Sequence, residues 1–300
     1  MDTITLGVFS PSVLLGVARD TGRLSAAGLR VDDVAVPSSP AQFAALRDGA
    51  YDAVFTSPDN VLAYRFLPRN PLGALLDVEI VAGVDRGVGL CLGARPGVSE
   101  VAELRGGRLG VDVPTSGFAF VAYALLEDLG LSRDDVEILT LGSTPKRVAA
   151  LQADGCDVTV LNAGNELIAR DVGCALLADV TRLGPYLGTV VARMRQGPQD
   201  VAVGRLVAVL GETAAAIVGG ELDGEALCAA RQLLGLGDDT AADHVAVLKD
   251  PVRGLVPDGS VDVVSLTTLV DLRRRFLPFP ELDGLTDRFD EVVRACALVG

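Results

Sequence analysis

The first 65 residues alternate short apolar runs with segments whose apolar positions recur at helical spacing. Residues 4–9 (ITLGVF) predict a strand and Ser10-Pro11-Ser12 a turn. Leu14, Leu15, Val17 and Ala18 then set an apolar stripe on a helix over 13–21. Gly22 and Gly28 punctuate the exit, and 29–36 predicts a second strand. Ser39 as cap and Pro40 at the first helical position start a helix that runs through Phe43, Leu46 and Arg47 to Asp48-Gly49. Residues 53–56 (AVFT) are apolar almost throughout, the pattern of a strand buried on both faces. Ser57-Pro58-Asp59 ends that strand, and a helix begins at Asp59 or Asn60 and runs through Arg65. Alternation in this order implies parallel strands joined by crossover helices.

A second cycle follows a hydrophobic stretch over 79–84 and an apolar run over 89–94. It reads as strand 108–113, turn 114–117, helix 118–129, strand 136–141, helix 145–153, strand 158–161 and a helix over 165–172. The segments LRDGAYDAVFTSPDN and LQADGCDVTVLNAGNE share a plan: a helix, an Asp-Gly turn, then a short strand ending in small polar residues. In open α/β sheets ligands sit outside the carboxyl ends of the strands, so two such rims facing each other enclose a cleft. From Gly204 the pattern predicts helices over 204–219, 223–235, 264–276 and 284–297, with 238–259 as a loop-rich acidic bridge.

Composition narrows the chemistry. Three hundred residues suffice for two domains. A net charge of −14 repels phosphate backbones and anionic lipid, which argues against nucleic-acid and membrane-surface partners. No stretch approaches the uncharged apolar length of a membrane span, so no membrane insertion is expected. Cys91, Cys156, Cys174, Cys228 and Cys296 form no C-x-x-C pair, and His244 is the single histidine. Neither a metal site nor a bound cofactor is expected from this set, and the cysteines read as buried free thiols. One histidine also supports no Ser-His-Asp triad. Gly106-Gly107-x-x-Gly110 precedes a strand instead of joining strand to helix, so it fails as a phosphate loop. The chain enters a strand directly after Met1, without a basic or apolar leader. That predicts a cytoplasmic protein, or a periplasmic or extracellular one whose leader has been removed.

The stretches RDTGRLSAAGLRVDDVAV, AALRDGAYDAVFTSPDN, ELRGGRLGVDVPTSGF, LGSTPKRVAALQADGCDVTVLN and LVDLRRRFL occur in the order found in a known family. With them the chain resembles the type II periplasmic binding proteins, in the branch that serves ABC importers of sulfonates, nitrate, taurine and thiamine pyrimidines. The resemblance implies a two-lobed α/β fold, each lobe a mostly parallel sheet flanked by helices. It implies hinges near 84–90 and 184–190, with 1–85 and 187–300 in lobe one and 86–186 in lobe two. It also implies a small-molecule ligand and, for an exported form, an importer partner. Relatives of the same fold include cytoplasmic enzymes, among them a decarboxylase, a desulfinase and a pyrimidine synthase.

The candidate ligand contacts lie on the rims. In Pro114-Thr115-Ser116-Gly117-Phe118, a helix N-terminus offers unpaired N–H groups, Thr115 and Ser116 add hydroxyl donors, and Gly117 permits close approach. Phe118 adds an apolar face, and the alternative for Thr115 or Ser116 is a plain helix cap. Thr56 and Ser57 face that turn from the first cycle, where Asp59 is expected to cap a helix. Ser10, Pro11 and Ser12 follow the first strand. Asn162 and Asn165 line the second rim, with Glu166 as a helix-start carboxylate. Arg86, at the first crossover, is either a clamp for a carboxylate or sulfonate or a surface residue. Tyr186 and Thr189, at the second, cover a ligand or pack the hinge. Two functions follow: a solute-binding protein for an organic acid, sulfonate or heterocycle, or a lyase, decarboxylase or cyclising enzyme for a small organic acid on the same scaffold. In the enzyme, Asp59, Asp85 or Glu166 would handle protons.

Overall fold

The computed structural model describes residues 1–197 and 199–300. The chain first lays down β1 (Asp2–Val8), α1 (Val13–Asp20), α2 (Arg23–Ala26), β2 (Leu29–Ala35), α3 (Ser39–Arg47), β3 (Ala53–Thr56), α4 (Pro58–Phe66) and β4 (Val78–Asp85). It then builds a second unit from β5 (Cys91–Ala94), β6 (Arg108–Val111), α5 (Gly117–Asp128), β7 (Glu137–Thr140), α6 (Thr144–Gln152), β8 (Val158–Leu161), α7 (Asn165–Asp171) and β9 (Ala175–Asp179). It returns through β10 (Thr189–Met194) to α8 (Asp200–Val218), α9 (Asp223–Leu234) and α10 (Asp238–Lys249). The last elements are β11 (Val261–Asp262), α11 (Val263–Phe276) and β12 (Leu298–Val299).

Two five-stranded sheets result, ordered β2-β1-β3-β10-β4 and β7-β6-β8-β5-β9. In the first, β1 is parallel to β2 and β3 while β10 is antiparallel to β3 and β4. In the second, β6 is parallel to β7 and β8 while β5 is antiparallel to β8 and β9. Each sheet therefore has one reversed strand, and it is the first strand formed after the chain arrives from the other sheet. The reason is geometric. The chain leaves β4 at its carboxyl end, which faces the second sheet, so β5 can only run away from that edge. The two crossing segments lie side by side: the Gly188 N–H donates to the Asp85 carbonyl at 2.9 Å, and a Cβ on Gly188 would stand 2.5 Å from Gly87 Cα.

The central strands β3 and β8 are buried at every position, as their unbroken apolar runs demand. One core lies between the sheets and α4, α5 and α11; another joins α1, α8, α9 and α10 to the opposite face of the first sheet.

Several expectations are corrected. The segment read as a loop-rich bridge contains α10, whose buried Thr240, Ala241, His244, Val245 and Leu248 make a helical stripe. The helix expected over 284–297 is a 3₁₀ turn, Leu285–Glu291, followed by irregular chain that bridges to β4 and β11. Ser38, not Ser39, caps α3. Cys296 is exposed and Cys228 half-buried, so only Cys91, Cys156 and Cys174 are buried thiols. By length and composition α8 could cross a membrane, with a mean hydropathy of 1.8 over its best 18-residue window, but Asp200, Arg205 and Glu212 interrupt it, so no uncharged apolar stretch of that length occurs. Half of it is buried, with Leu206, Leu210 and Ile217 packed into the core beside α1 and β4.

Candidate functional site

The carboxyl ends of β1, β3, β6 and β8 all meet the gap between the sheets, and each runs within a few residues into a helix. Three of those helices are capped by serine. Ser12 Oγ accepts from the Leu15 N–H (3.3 Å), Ser57 Oγ from the Asp59 N–H (3.3 Å) and Ser116 Oγ from the Ala119 N–H (3.1 Å). The expected cap Asp59 instead sits in the first turn of α4. A serine cap satisfies one amide of the first turn and leaves those before it without an intrahelical acceptor. These are Val13 and Leu14 of α1 and Gly117 and Phe118 of α5, so two sets of unpartnered N–H groups look into the gap from opposite lobes.

The rims around Ser57 and Ser116 touch. A Cβ on Gly117 would stand 2.7 Å from Asp59 Cβ, so the approach of α5 to α4 requires glycine there. Behind this contact lies a cavity of about 90 Å³. Its walls are largely apolar, with Phe9, Val13, Phe55, Val88, Phe118 and Leu248 among them. Ser10, Pro11, Ser12, Thr56, Ser57 and Thr189 border it from the first unit, and Asn162 and Ala163 from the second. A smaller recess of about 30 Å³ continues it past Ser57 and Phe118 to Ser116, Gly117, Thr144 and Arg147.

The titratable groups here are held in unusual states. Asp85 borders the cavity and accepts from the Gly87 and Val88 N–H groups at 2.7 and 3.2 Å. Burial raises its pKa, opposed by those hydrogen bonds and by Thr189. His244 is 2 % exposed, and burial drops its pKa to about 4, so the ring is neutral near pH 7. Its Nδ1 has no partner. Arg147 is 1 % exposed; burial lowers its pKa and the charge of Asp112 works against that. It donates to the carbonyls of Gly142 and Val160 and to Thr144 Oγ1, and no carboxylate lies within 4 Å among the described residues. Thr144 Oγ1 donates in turn to Asn162 Oδ1 at 3.0 Å, fixing that amide at the cavity wall.

Other expected contacts fall away from this cavity. Arg86 pairs with Asp262 at 3.5 Å, outside it. The Thr115 carbonyl meets Arg273 at 3.5 Å and its side chain borders a separate cavity. Asn165 donates to the Asn162 carbonyl at 2.9 Å, and Tyr186 is buried in the hinge against Gly87, where desolvation raises its pKa. Asp59 is not a proton handler in this arrangement: Arg273 holds both its oxygens, at 2.7 and 2.5 Å. Glu166 lies beyond the main cavity, pressed onto Gly89, with burial raising its pKa to about 8. Among the described residues no three His, Cys, Asp or Glu side chains gather to hold a metal ion.

Sequence reasoning missed Arg147, Asp112 and the placement of His244. Arg147 carried a signal: with Lys146 it puts two cations in the first turn of α6, against the helix dipole.

No protein-family model matches the chain, and no curated protein matches it. Solved structures do. The alkanesulfonate-binding protein SsuA from Xanthomonas axonopodis pv. citri, bound to MOPS, superposes with a TM-score of 0.73 at 19% identity, over 99% of this chain and 98% of that one. The periplasmic nitrate-binding protein NrtA from Synechocystis gives 0.76 at 12% identity, over 97% and 86%. The desulfurization enzyme DSZB gives 0.63 at 16% identity, over 96% and 99%. The chain has the two-lobed periplasmic-binding-protein fold.

Proposed function

We propose that this protein binds one small molecule, an anionic head group on a short apolar body, by closing its lobes around it. The lobes in this reading are 1–85 with 187–300, and 86–186. The observation that carries it is the pair of opposed helix N-termini, with unpartnered amides at Val13, Leu14, Gly117 and Phe118, across an apolar cavity. Each terminus favours an anion by about 0.3–1 kcal/mol when exposed and up to about 2 kcal/mol when partly buried. Arg147 strengthens the preference as a buried cation without a carboxylate partner. Size sets a further limit. The cavity, about 90 Å³, is smaller than the ~150 Å³ that houses a benzene ring. A short alkanesulfonate or alkanoate suits it, and a bulkier solute requires the lobes to part. The neighbours that bind alkanesulfonate and nitrate support a solute-binding role, and the periplasmic nitrate-binding one supports a periplasmic location. A further neighbour, the ligand-binding component of an ABC-type import system from Staphylococcus aureus, supports an importer partner.

Thermal shift across alkanesulfonates and alkanoates of graded chain length tests this reading. A ligand at a hundred times its Kd adds about 2.7 kcal/mol of stability. No stabilisation by any anionic member of the series would refute the reading.

His244 and Asp85 favour a second reading, an enzyme acting on a small organic acid. A neutral imidazole with a free nitrogen and a carboxyl with a raised pKa both border the same cavity. One structural neighbour is a desulfurization enzyme. Mass analysis of each stabilising ligand after incubation separates the two: an altered mass makes the protein an enzyme, and an unchanged one leaves it a binder.

A further inference from the structure

A separate cavity, of about 210 Å³, opens where α4, the end of α11 and the turn into α5 meet. It adjoins the recess beside the main cavity through Asn60 and Ser116. It is larger than the main cavity, with room for a five-atom oxyanion and ordered water.

Some hydrogen-bond donors in its walls are not fully engaged by the protein. Tyr64 lines the cavity at 1 % exposure; its hydroxyl makes no hydrogen bond of good geometry, although the Ser39 side chain, also in the wall, is near enough to lower its pKa. Burial pushes its pKa to about 12, so the group stays a neutral donor. Arg273, 4 % exposed, spends Nε and one Nη on Asp59 and leaves its other Nη unengaged. Arg69 is exposed and has no carboxylate within 4 Å among the described residues, and its guanidinium stands 5.5 Å from the centre of the Phe279 ring. A guanidinium positioned on an aromatic face keeps its N–H edge free for a ligand. The chain as a whole carries −14, so a cluster of donors around an unpaired cation stands out against its surroundings.

We propose that this cavity is a second binding site, for an oxyanion of sulfate or phosphate size, held by Arg69, the free edge of Arg273 and the Tyr64 hydroxyl. Tyr64, Arg69 and Arg273 all belong to the first unit, so the bound anion ties the end of α4 to the end of α11, with the turn into α5 as the facing wall. The assignment does not rest on the ligand proposed for the main cavity.

Calorimetric titration of the full chain with sulfate tests it, at constant ionic strength, with chloride as control and no organic ligand present. Saturable sulfate binding is expected. Arg69→Gln should weaken it about tenfold or more, the loss of one charge-assisted contact. Tyr64→Phe should weaken it by a smaller factor while circular dichroism stays unchanged. In crystals grown with selenate, the anomalous peak should lie between Arg69 and Arg273. Absence of saturable binding, equal affinity in both variants and wild type, or a peak confined to the main cavity would overturn the proposal. Failure of the organic-ligand screen would not touch it, because sulfate is measured alone.

Discussion

Replacing Gly117 with alanine puts the closure of the two lobes to a direct test. The backbone of Gly117 is not in the left-handed region, so alanine costs little within α5 itself. Across the gap it costs more. The new Cβ would stand 2.7 Å from both Cβ and Oδ2 of Asp59, where ordinary contacts begin near 3.4 Å. Asp59 cannot turn aside, because Arg273 holds both carboxylate oxygens at 2.7 and 2.5 Å. Relief must come from separating the rims. Overpacking of this kind costs about 1–3 kcal/mol, which weakens a ligand that needs the closed form by about 5–150-fold. Calorimetry with a short alkanesulfonate should show that loss, and X-ray scattering should show a larger radius of gyration without ligand. Urea unfolding of the free protein should change by less than this overpacking cost, because parting the rims relieves the clash. Unchanged affinity and an unchanged radius would refute the idea that closure runs through this contact. An equal loss of unliganded stability would show that the contact belongs to the fold and not to a moving interface.

Arg273→Met leaves Asp59, 1 % exposed, without its cation and should cost about 3–5 kcal/mol in urea unfolding; Arg273→Met with Asp59→Leu should recover most of that. His244 has a folded pKa near 4 against an ordinary 6.5, so the unfolded chain binds more protons between those values. Stability is therefore lost as pH falls from 6.5 to 4, by about 3 kcal/mol in all, and His244→Leu should flatten that slope in urea melts. Glu166 acts in the opposite sense: its pKa rises from 4.5 to about 8, so stability falls as pH climbs through that window. Glu166→Gln should remove this decline, and an unaltered pH profile would show that the carboxyl is hydrated in solution.

The alternation of strands and helices was legible because parallel strands are buried on both faces and leave unbroken runs such as AVFT and VTVL. The turns after β1 and β6 were legible too, since small polar residues before an apolar helix are a local signal, whereas after β3 the cap is Ser57 where Asp59 was expected. What escaped was decided by distance along the chain. Asp59 reads as a cap until Arg273, 214 residues later, arrives to take its carboxylate. His244 fell in a segment read as a loop-rich acidic bridge, yet Asp238 and Asp239 are the first turn of α10 and its apolar stripe turns the ring inward. Arg86 stands at the crossover but is claimed by Asp262, which caps α11 from the far end of the sequence.

The two linking segments, Gly188 resting on Gly87 and bonded to Asp85, form a two-ply leaf. A doubled leaf bends across its width but resists twist about its length, so the halves of the molecule are steered along a single arc. Any side chain larger than hydrogen at Gly188 would prise the plies apart. The halves could then swivel independently, and the rims at Ser57 and Ser116 would no longer meet in register.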